Sequence, residues 1–124
     1  MGLWDRLMGR SNQPGDEPGA EHALIITITF EEERPPAAEF DFWLGIQEQM
    51  ERAIEDAGAG ELDGDEWGEG VCTIYCYGPN ADALWDAVAP VLEKTPIRKG
   101  SYAIKRYGGP GSGREERINL HWDG

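Results

Sequence analysis

The chain has 124 residues, a formal net charge of −13 at pH 7, 40% hydrophobic residues and 28% charged residues. A chain of this length and composition fits one folded domain that needs neither a metal ion nor a disulfide to hold its core. No apolar run approaches the roughly 20 residues that a membrane-spanning helix requires, so we expect neither a membrane span nor a secretory signal.

The first 21 residues predict a short amphipathic segment followed by a flexible linker. Leu3, Trp4, Leu7 and Met8 recur at helical spacing, and the stretch after them is polar and rich in Pro and Gly. We therefore expect removal of this segment to leave the thermal stability nearly unchanged. Residues 22–124 are predicted to form a single α+β domain.

Two different periodicities predict the first strand and the first helix. Residues 22–30 alternate with period two, which is typical of a strand. The side chains predicted to face the core are Leu24, Ile26, Ile28 and Phe30. Residues 38–57 place apolar side chains at steps of three and four, which is typical of an amphipathic helix. That stripe comprises Trp43, Ile46, Met50, Ala53, Ile54 and Ala57, and Gly58 is expected to end the helix.

Residues 60–77 predict two strands that differ strongly in character. Residues 60–70 are acidic and rich in glycine, and they predict a short irregular strand with a turn at its end. Residues 71–77 (VCTIYCY) predict a regular strand with Cys72, Ile74 and Cys76 toward the core. Cysteines four positions apart in a strand lie about 13 Å apart, which is too far for a disulfide. Two buried thiols are typical of the reducing cytoplasm, where we expect the protein to be located.

The remaining residues predict a second helix and a final pair of strands. Asn80 is expected to cap a helix whose apolar stripe comprises Leu84, Trp85, Val88, Val91 and Leu92. Residues 101–107 and 114–122 then predict two antiparallel strands. The order β-α-β-β-α-β with one added C-terminal strand resembles the ferredoxin-like split βαβ plan. In that plan, two helices lie on one face of an antiparallel sheet.

Residues 60–84 also resemble small uncharacterised bacterial proteins of this ferredoxin-like plan. The residues that carry the resemblance are Glu61, Asp63, Gly64, Glu66, Gly68, Gly70, Tyr75, Tyr77, Gly78, Pro79, Ala81 and Leu84. Some small acidic bacterial proteins of this general type act as immunity proteins against toxins. The resemblance thus implies an α+β fold and, as an expectation, an immunity-type or regulatory role.

The acidic segment contains a pattern that partly matches a calcium-binding loop. Asp63, Asp65 and Glu66 alternate as such ligands do, but Trp67 occupies a ligand position and Ile74 stands where the closing Glu belongs. We therefore interpret the segment as a solvated acidic hairpin and expect no metal site.

No other group of reactive side chains predicts chemistry. His22 and His121 lie at opposite ends of the sequence, and both cysteines are expected on the core face, where a thiol is inert. The glycine-rich run KRYGGPGSGR leads into a predicted strand, whereas phosphate-binding loops lead into a helix. We accordingly expect a non-enzymatic protein that has no catalytic residues and requires no cofactor.

The charge distribution suggests one candidate binding surface. Residues 1–93 carry 4 basic and 21 acidic side chains, a balance of −17, whereas residues 94–124 carry a balance of +4. This excess of acid disfavours nucleic acid as a ligand and favours a protein partner with a basic surface. Asp63, Asp65 and Glu66 would steer such a partner, and Trp67 would be its aromatic anchor.

The strand alternation suggests a second candidate surface on the sheet face opposite the helices. Tyr75 and Tyr77 fall on that face, where they could support self-association or binding of another protein. Lys105 and Tyr107 are candidates for the same surface. Two alternatives remain: a half-solvated face without a partner, and a small-molecule-binding or catalytic site on this face. A concave pocket with convergent polar groups would favour the latter.

Overall fold

The computed structural model describes residues 21–109 and 114–120. The elements are β1 (His22–Thr29), α1 (Ala37–Ala57), β2 (Glu61–Gly68), β3 (Val71–Gly78), α2 (Ala81–Glu93), β4 (Ser101–Arg106) and β5 (Glu115–Leu120). The predicted N-terminal segment and linker, apart from Glu21, lie outside the described residues, as does His121.

The five strands form one antiparallel sheet in the order β2-β3-β1-β4-β5. Strand β1 lies at the centre between β3 and β4, and the added strand β5 lies at the edge beside β4. These elements confirm the predicted α+β class with an antiparallel sheet and two helices.

The core lies between one face of the sheet and both helices. Strands β1 and β3 pair so that Leu24 is opposite Cys76 and Ile26 is opposite Ile74, and all four side chains are fully buried. The helices contribute Trp43, Ile46, Met50 and Ile54 from α1, and Leu84, Val88 and Leu92 from α2, to the same cluster. The predicted core faces of β1, β3 and both helices are thereby confirmed, except that Ala57, in the last turn of α1, is exposed.

The end of α1 and the start of α2 are each set by the residue that the sequence places there. Gly58 ends α1 with φ of 63°, and the N–H groups of Gly58 and Ala59 donate to the carbonyls of Glu55 and Ile54, which is the Schellman arrangement. At the start of α2, Asn80 Oδ1 accepts from the N–H of Asp82 at 2.8 Å. This bond satisfies an otherwise unpaired helix N–H.

Gly60 and Gly78 let two stretches of backbone approach each other closely. A Cβ atom at Gly60 would overlap the carbonyl oxygen of Tyr77, and one at Gly78 would overlap the carbonyl oxygen of Ala59. The connection from α1 to β2 therefore packs directly on the end of β3. This contact fixes where β2 begins along the edge of the sheet.

None of the helices within residues 21–109 and 114–120 is both long and apolar enough to cross a membrane.

Candidate functional site

The second face of the sheet, opposite the helices, is called the open face below. The described side chains in register on this face are Glu61 and Glu66 from β2, Thr73, Tyr75 and Tyr77 from β3, Ile25 and Thr27 from β1, Tyr102, Ile104 and Arg106 from β4, and Glu115, Arg117 and Asn119 from β5.

The centre of the open face is apolar and aromatic. Tyr75, Ile25 and Ile104 lie side by side on three adjacent strands, and all three are half-buried. The neighbouring row places Tyr102 beside Thr27. Phenol and aliphatic side chains of this kind offer apolar contact area together with hydroxyl groups that can hydrogen-bond.

Strand β4 distributes its side chains in an unusual way. Ser101 and Ala103 face the helices and are buried, whereas the larger Tyr102 and Ile104 face outward and stay half-exposed. Ser101 Oγ is used internally, since it accepts from the backbone N–H of Thr29 at 2.9 Å. The larger apolar groups of β4 thus lie on the open face.

The β2 side of the open face is acidic. Tyr75 donates its hydroxyl to Glu66 Oε1 at 2.8 Å, and this bond raises the pKa of Tyr75 because it stabilises the protonated phenol. Glu61 lies opposite Tyr77 in the register. The edge strand thus places carboxylates beside two of the tyrosines.

The β4–β5 side of the open face carries arginine. The guanidinium of Arg117 lies 3.9 Å from the centre of the Tyr102 ring, and its Nε donates to Asn119 Oδ1 at 3.0 Å. Arg106 is on the same face of β4, where it lies opposite Glu115. Charge on the open face therefore changes from negative at β2 to net positive at β4 and β5, where Arg106 and Arg117 outnumber Glu115.

The six residues that the sequence singled out do not form one surface. Tyr75, Tyr77 and Glu66 lie on the open face, Asp65 and Trp67 face the helix layer opposite Ile74 and Cys72, and Asp63 lies at an irregularity of β2 between Leu62 and Gly64. An irregularity of this kind inserts an extra residue, so the side chains after it change faces.

Trp67 is half-buried in an aromatic cluster rather than isolated among carboxylates. Its ring stacks on Phe30 with 5.5 Å between centroids and lies 4.5 Å from Phe40. Its Nε1 donates to Asp65 Oδ2 at 2.8 Å, and Gln47 Nε2 donates to the same oxygen at 2.7 Å. The expectation that Asp65 is a solvated surface carboxylate is therefore wrong, because the register turns it toward α1.

Lys105 and Tyr107 do not lie on the open face. Ala103 faces the helices, and Lys105 two positions later shares that side and reaches Asp82 of α2 and Glu116 of β5, each at 2.9 Å. The hydroxyl of Tyr107 lies 2.6 Å from Asp82 Oδ1. Their proposed place beside Tyr75 is thus wrong.

A cleft of about 660 Å³ lies at the end of β1. Its lining includes Trp43, Arg98 and Lys99, and Arg98 lies 3.4 Å from Glu31 and 3.8 Å from Glu39. Arg98 is thus paired with two carboxylates of the cleft itself rather than directed toward a ligand. Two smaller clefts of about 330 and 450 Å³ flank Trp67.

Within the part of the chain that the structure describes, no three His, Cys, Asp or Glu side chains are grouped as metal ligands. The chain matches no protein-family model, and no curated protein and no solved structure is significantly similar to it.

Proposed function

We propose that this protein is a non-enzymatic protein-binding module of a regulatory or immunity type that binds its partner through the open face. The observation that carries the proposal is the arrangement of β4, which turns Tyr102 and Ile104 outward and buries Ser101 and Ala103. Together with Ile25 and Tyr75 these side chains form one contiguous group, and contiguous apolar surface, unlike scattered apolar residues, marks interaction sites.

The sheet geometry supports a ferredoxin-like assignment within this proposal. Strands β2, β3, β1 and β4 are adjacent in that order, and both helices pack on one side. A split βαβ arrangement leaves one broad sheet face free of helices. Protein binding on that face would use tyrosines as rigid contacts with few rotatable bonds.

Site-specific photocrosslinking in the producing cells tests the proposal. A photoreactive phenylalanine analogue replaces Tyr102 in one variant and Glu51, on the solvent side of α1, in the control variant. We expect a discrete crosslinked protein from position 102 and none from position 51. Crosslinks from position 51 alone, or from neither position, would contradict binding through the open face.

A second candidate surface is the acidic region around Trp67, which would bind a partner with a basic surface. Two clefts flank Trp67, and the carboxylates of Glu33, Glu66 and Glu69 line them. Carboxylates around an aromatic ring suit a Lys or Arg side chain, and charge steering would make association fast and sensitive to salt.

The same crosslinking experiment separates the two surfaces when the analogue is also placed at Glu69. A crosslink from position 69 that is absent from position 102 would favour the acidic surface over the open face. If the acidic surface is used, 0.5 M NaCl added to a lysate of these cells before irradiation should lower the yield from position 69, because salt screens exposed charges beyond a few ångströms. An apolar contact through Tyr102 should be little affected.

A small-molecule or catalytic role is the remaining alternative, with its site on the open face, as the sequence suggested, or in the cleft at the end of β1. In that cleft, Arg98 is paired with Glu31 and Glu39 rather than directed toward a ligand. This role is therefore supported less than protein binding. The proposal therefore assigns the protein no catalytic residues.

A further inference from the structure

The charge gradient across the open face distinguishes two ways of placing two such faces together. A two-fold axis parallel to the strands lays β2 of one copy over β5 of the other, with β1 over β1. A two-fold axis perpendicular to the strands, in the plane of the interface, lays β2 over β2 and β5 over β5. Both arrangements bury the same central side chains.

Electrostatics favours the first arrangement. There, Arg117 of one copy lies over β2 of the second copy, between Glu61 and Glu66. Glu61 lies over Glu115 of the second copy, and Arg106, which is opposite Glu115 on β4, offsets that like charge. In the second arrangement, Glu61 and Glu66 of the two copies oppose each other and Arg117 opposes Arg117. Opposite charges across an interface fix the orientation of two partners, and like charges penalise the wrong orientation.

The area of the open face is sufficient for a weak dimer. Five strands about 4.8 Å apart, with six to eight residues of about 3.3 Å each, cover roughly 550 Å² per copy and about 1,100 Å² in total. Specific interfaces begin near 1,000 Å² in total, and those at the lower end are weak or transient.

We infer that the open face binds a second copy of this chain, with the two-fold axis parallel to the strands so that β2 of each copy lies over β5 of the other. This inference rests on the proposed function and names the partner. The self-complementary surface that a two-fold dimer needs is present in one chain, since it carries both the acidic and the basic side. At the two-fold axis, β1 of one molecule faces β1 of the other, and the two Ile25 side chains lie near each other.

Sedimentation velocity of the full chain over a range from 1 µM to 1 mM tests for the dimer. We expect a reversible monomer–dimer equilibrium. Glu66→Arg and Arg117→Glu should each weaken it at least tenfold, because each places like charges together twice in one dimer. The matched controls are Glu48→Arg and Arg52→Glu, which make the same charge changes on the exposed side of α1 and should leave the equilibrium unchanged.

Mixing the two weakened variants tests the orientation. In a mixed dimer, Arg at position 66 of one copy meets Glu at position 117 of the other, and the native Arg117 of the first copy meets the native Glu66 of the second. Both contacts are attractive, so the equimolar mixture should associate more strongly than either variant alone. The double variant Glu66→Arg/Arg117→Glu should recover the affinity of the unchanged chain. Circular dichroism and thermal melting confirm that each variant is folded.

Three results would overturn the inference. The first is a monomer at 1 mM, and the second is stronger association of Glu66→Arg alone, which the perpendicular axis requires. The third is dimerisation that appears only after Leu3 and Leu7 are both changed to Ser. That result would mean that the N-terminal segment, and not a second copy, occupies the open face of the unchanged chain. If position 102 crosslinks to a different protein while the chain stays monomeric, the inference fails but the proposed function stands.

Discussion

The role of the Asp65 carboxylate depends on the register of β2. In the sequence it belongs to an acidic run beside Glu66, yet the two side chains lie on opposite faces of β2. Asp65 accepts hydrogen bonds from Gln47, which is 8% exposed, and from the indole of Trp67. It therefore joins α1 to β2, whereas Glu66 is exposed on the open face.

Removal of the Asp65 carboxylate should accordingly destabilise the fold. Asp65→Ala leaves the amide of Gln47 and the indole N–H of Trp67 without their acceptor, and an unsatisfied buried polar group costs about 1–3 kcal/mol. We expect a loss of about 2 kcal/mol or more in urea unfolding. Glu66→Ala, the matched exposed variant, should lie within about 0.5 kcal/mol of the unchanged chain. Equal losses would contradict the structural role of Asp65.

The two thiols give a second test at the scale of single residues. Burial, with a smaller effect of the nearby Asp65 charge, raises the pKa of Cys72 to about 12. Because the thiolate is the reactive form, labelling of Cys72 at pH 8 should be at least about 1,000-fold slower than in the unfolded chain. Cys76 is also fully buried and should react slowly. Rapid labelling of both by a small disulfide reagent would place β3 in the opposite register.

At the scale of elements, a network of charged groups connects α2 to the β4–β5 pair. Lys105 is only 11% exposed in its side chain and lies between Asp82 and Glu116. The hydrogen bonds from Lys105 lower the pKa of both carboxyl groups, and the bond to Asp82 raises the pKa of Lys105. The amino end of α2 is thereby held above two strands that are distant in sequence.

The direction of these shifts predicts the pH dependence of stability. Carboxyl groups with a lowered folded pKa stabilise the fold above their ordinary pKa near 4, and they lose this contribution as the pH falls through the lowered value. Lys105 contributes below its ordinary pKa near 10.4 and loses its contribution as the pH rises through its raised folded pKa.

Urea unfolding midpoints measured from pH 7 to pH 2 check the acid side of this prediction. The midpoint of the unchanged chain should fall as Asp82 and Glu116 become protonated. Lys105→Met should flatten that fall, because the shifts of both carboxyl groups depend on the ammonium. Lys94→Met, at an exposed position after α2, should leave the slope unchanged. An acid profile that Lys105→Met does not alter would contradict the network.

For the whole molecule, local patterns predicted the elements better than the surfaces. Alternation placed Leu24, Ile26 and Cys72 in the core because each strand face repeats every two residues. The sequence did not predict which side chains of β4 face the core, since the buried ones are the small Ser101 and Ala103. No residue pattern predicts that the small side chains of a strand are buried and the large ones exposed. That arrangement depends on how closely the helices approach the sheet. The irregularity in β2 escaped prediction as well, because it becomes visible only through pairing with β3.

The central position of β1 has a consequence for synthesis of the chain. Ile26 pairs with Ile74 and Ala103, which are 48 and 77 positions later, so β1 leaves the ribosome long before either neighbouring strand exists. At about 5–20 residues per second, this apolar strand waits roughly 2–10 seconds for its first partner. Exposed strands of this kind aggregate unless charges flank them. Glu31, Glu32 and Glu33 come just after β1, separated from it by Phe30, and we expect their repulsion to keep nascent chains apart until β3 emerges.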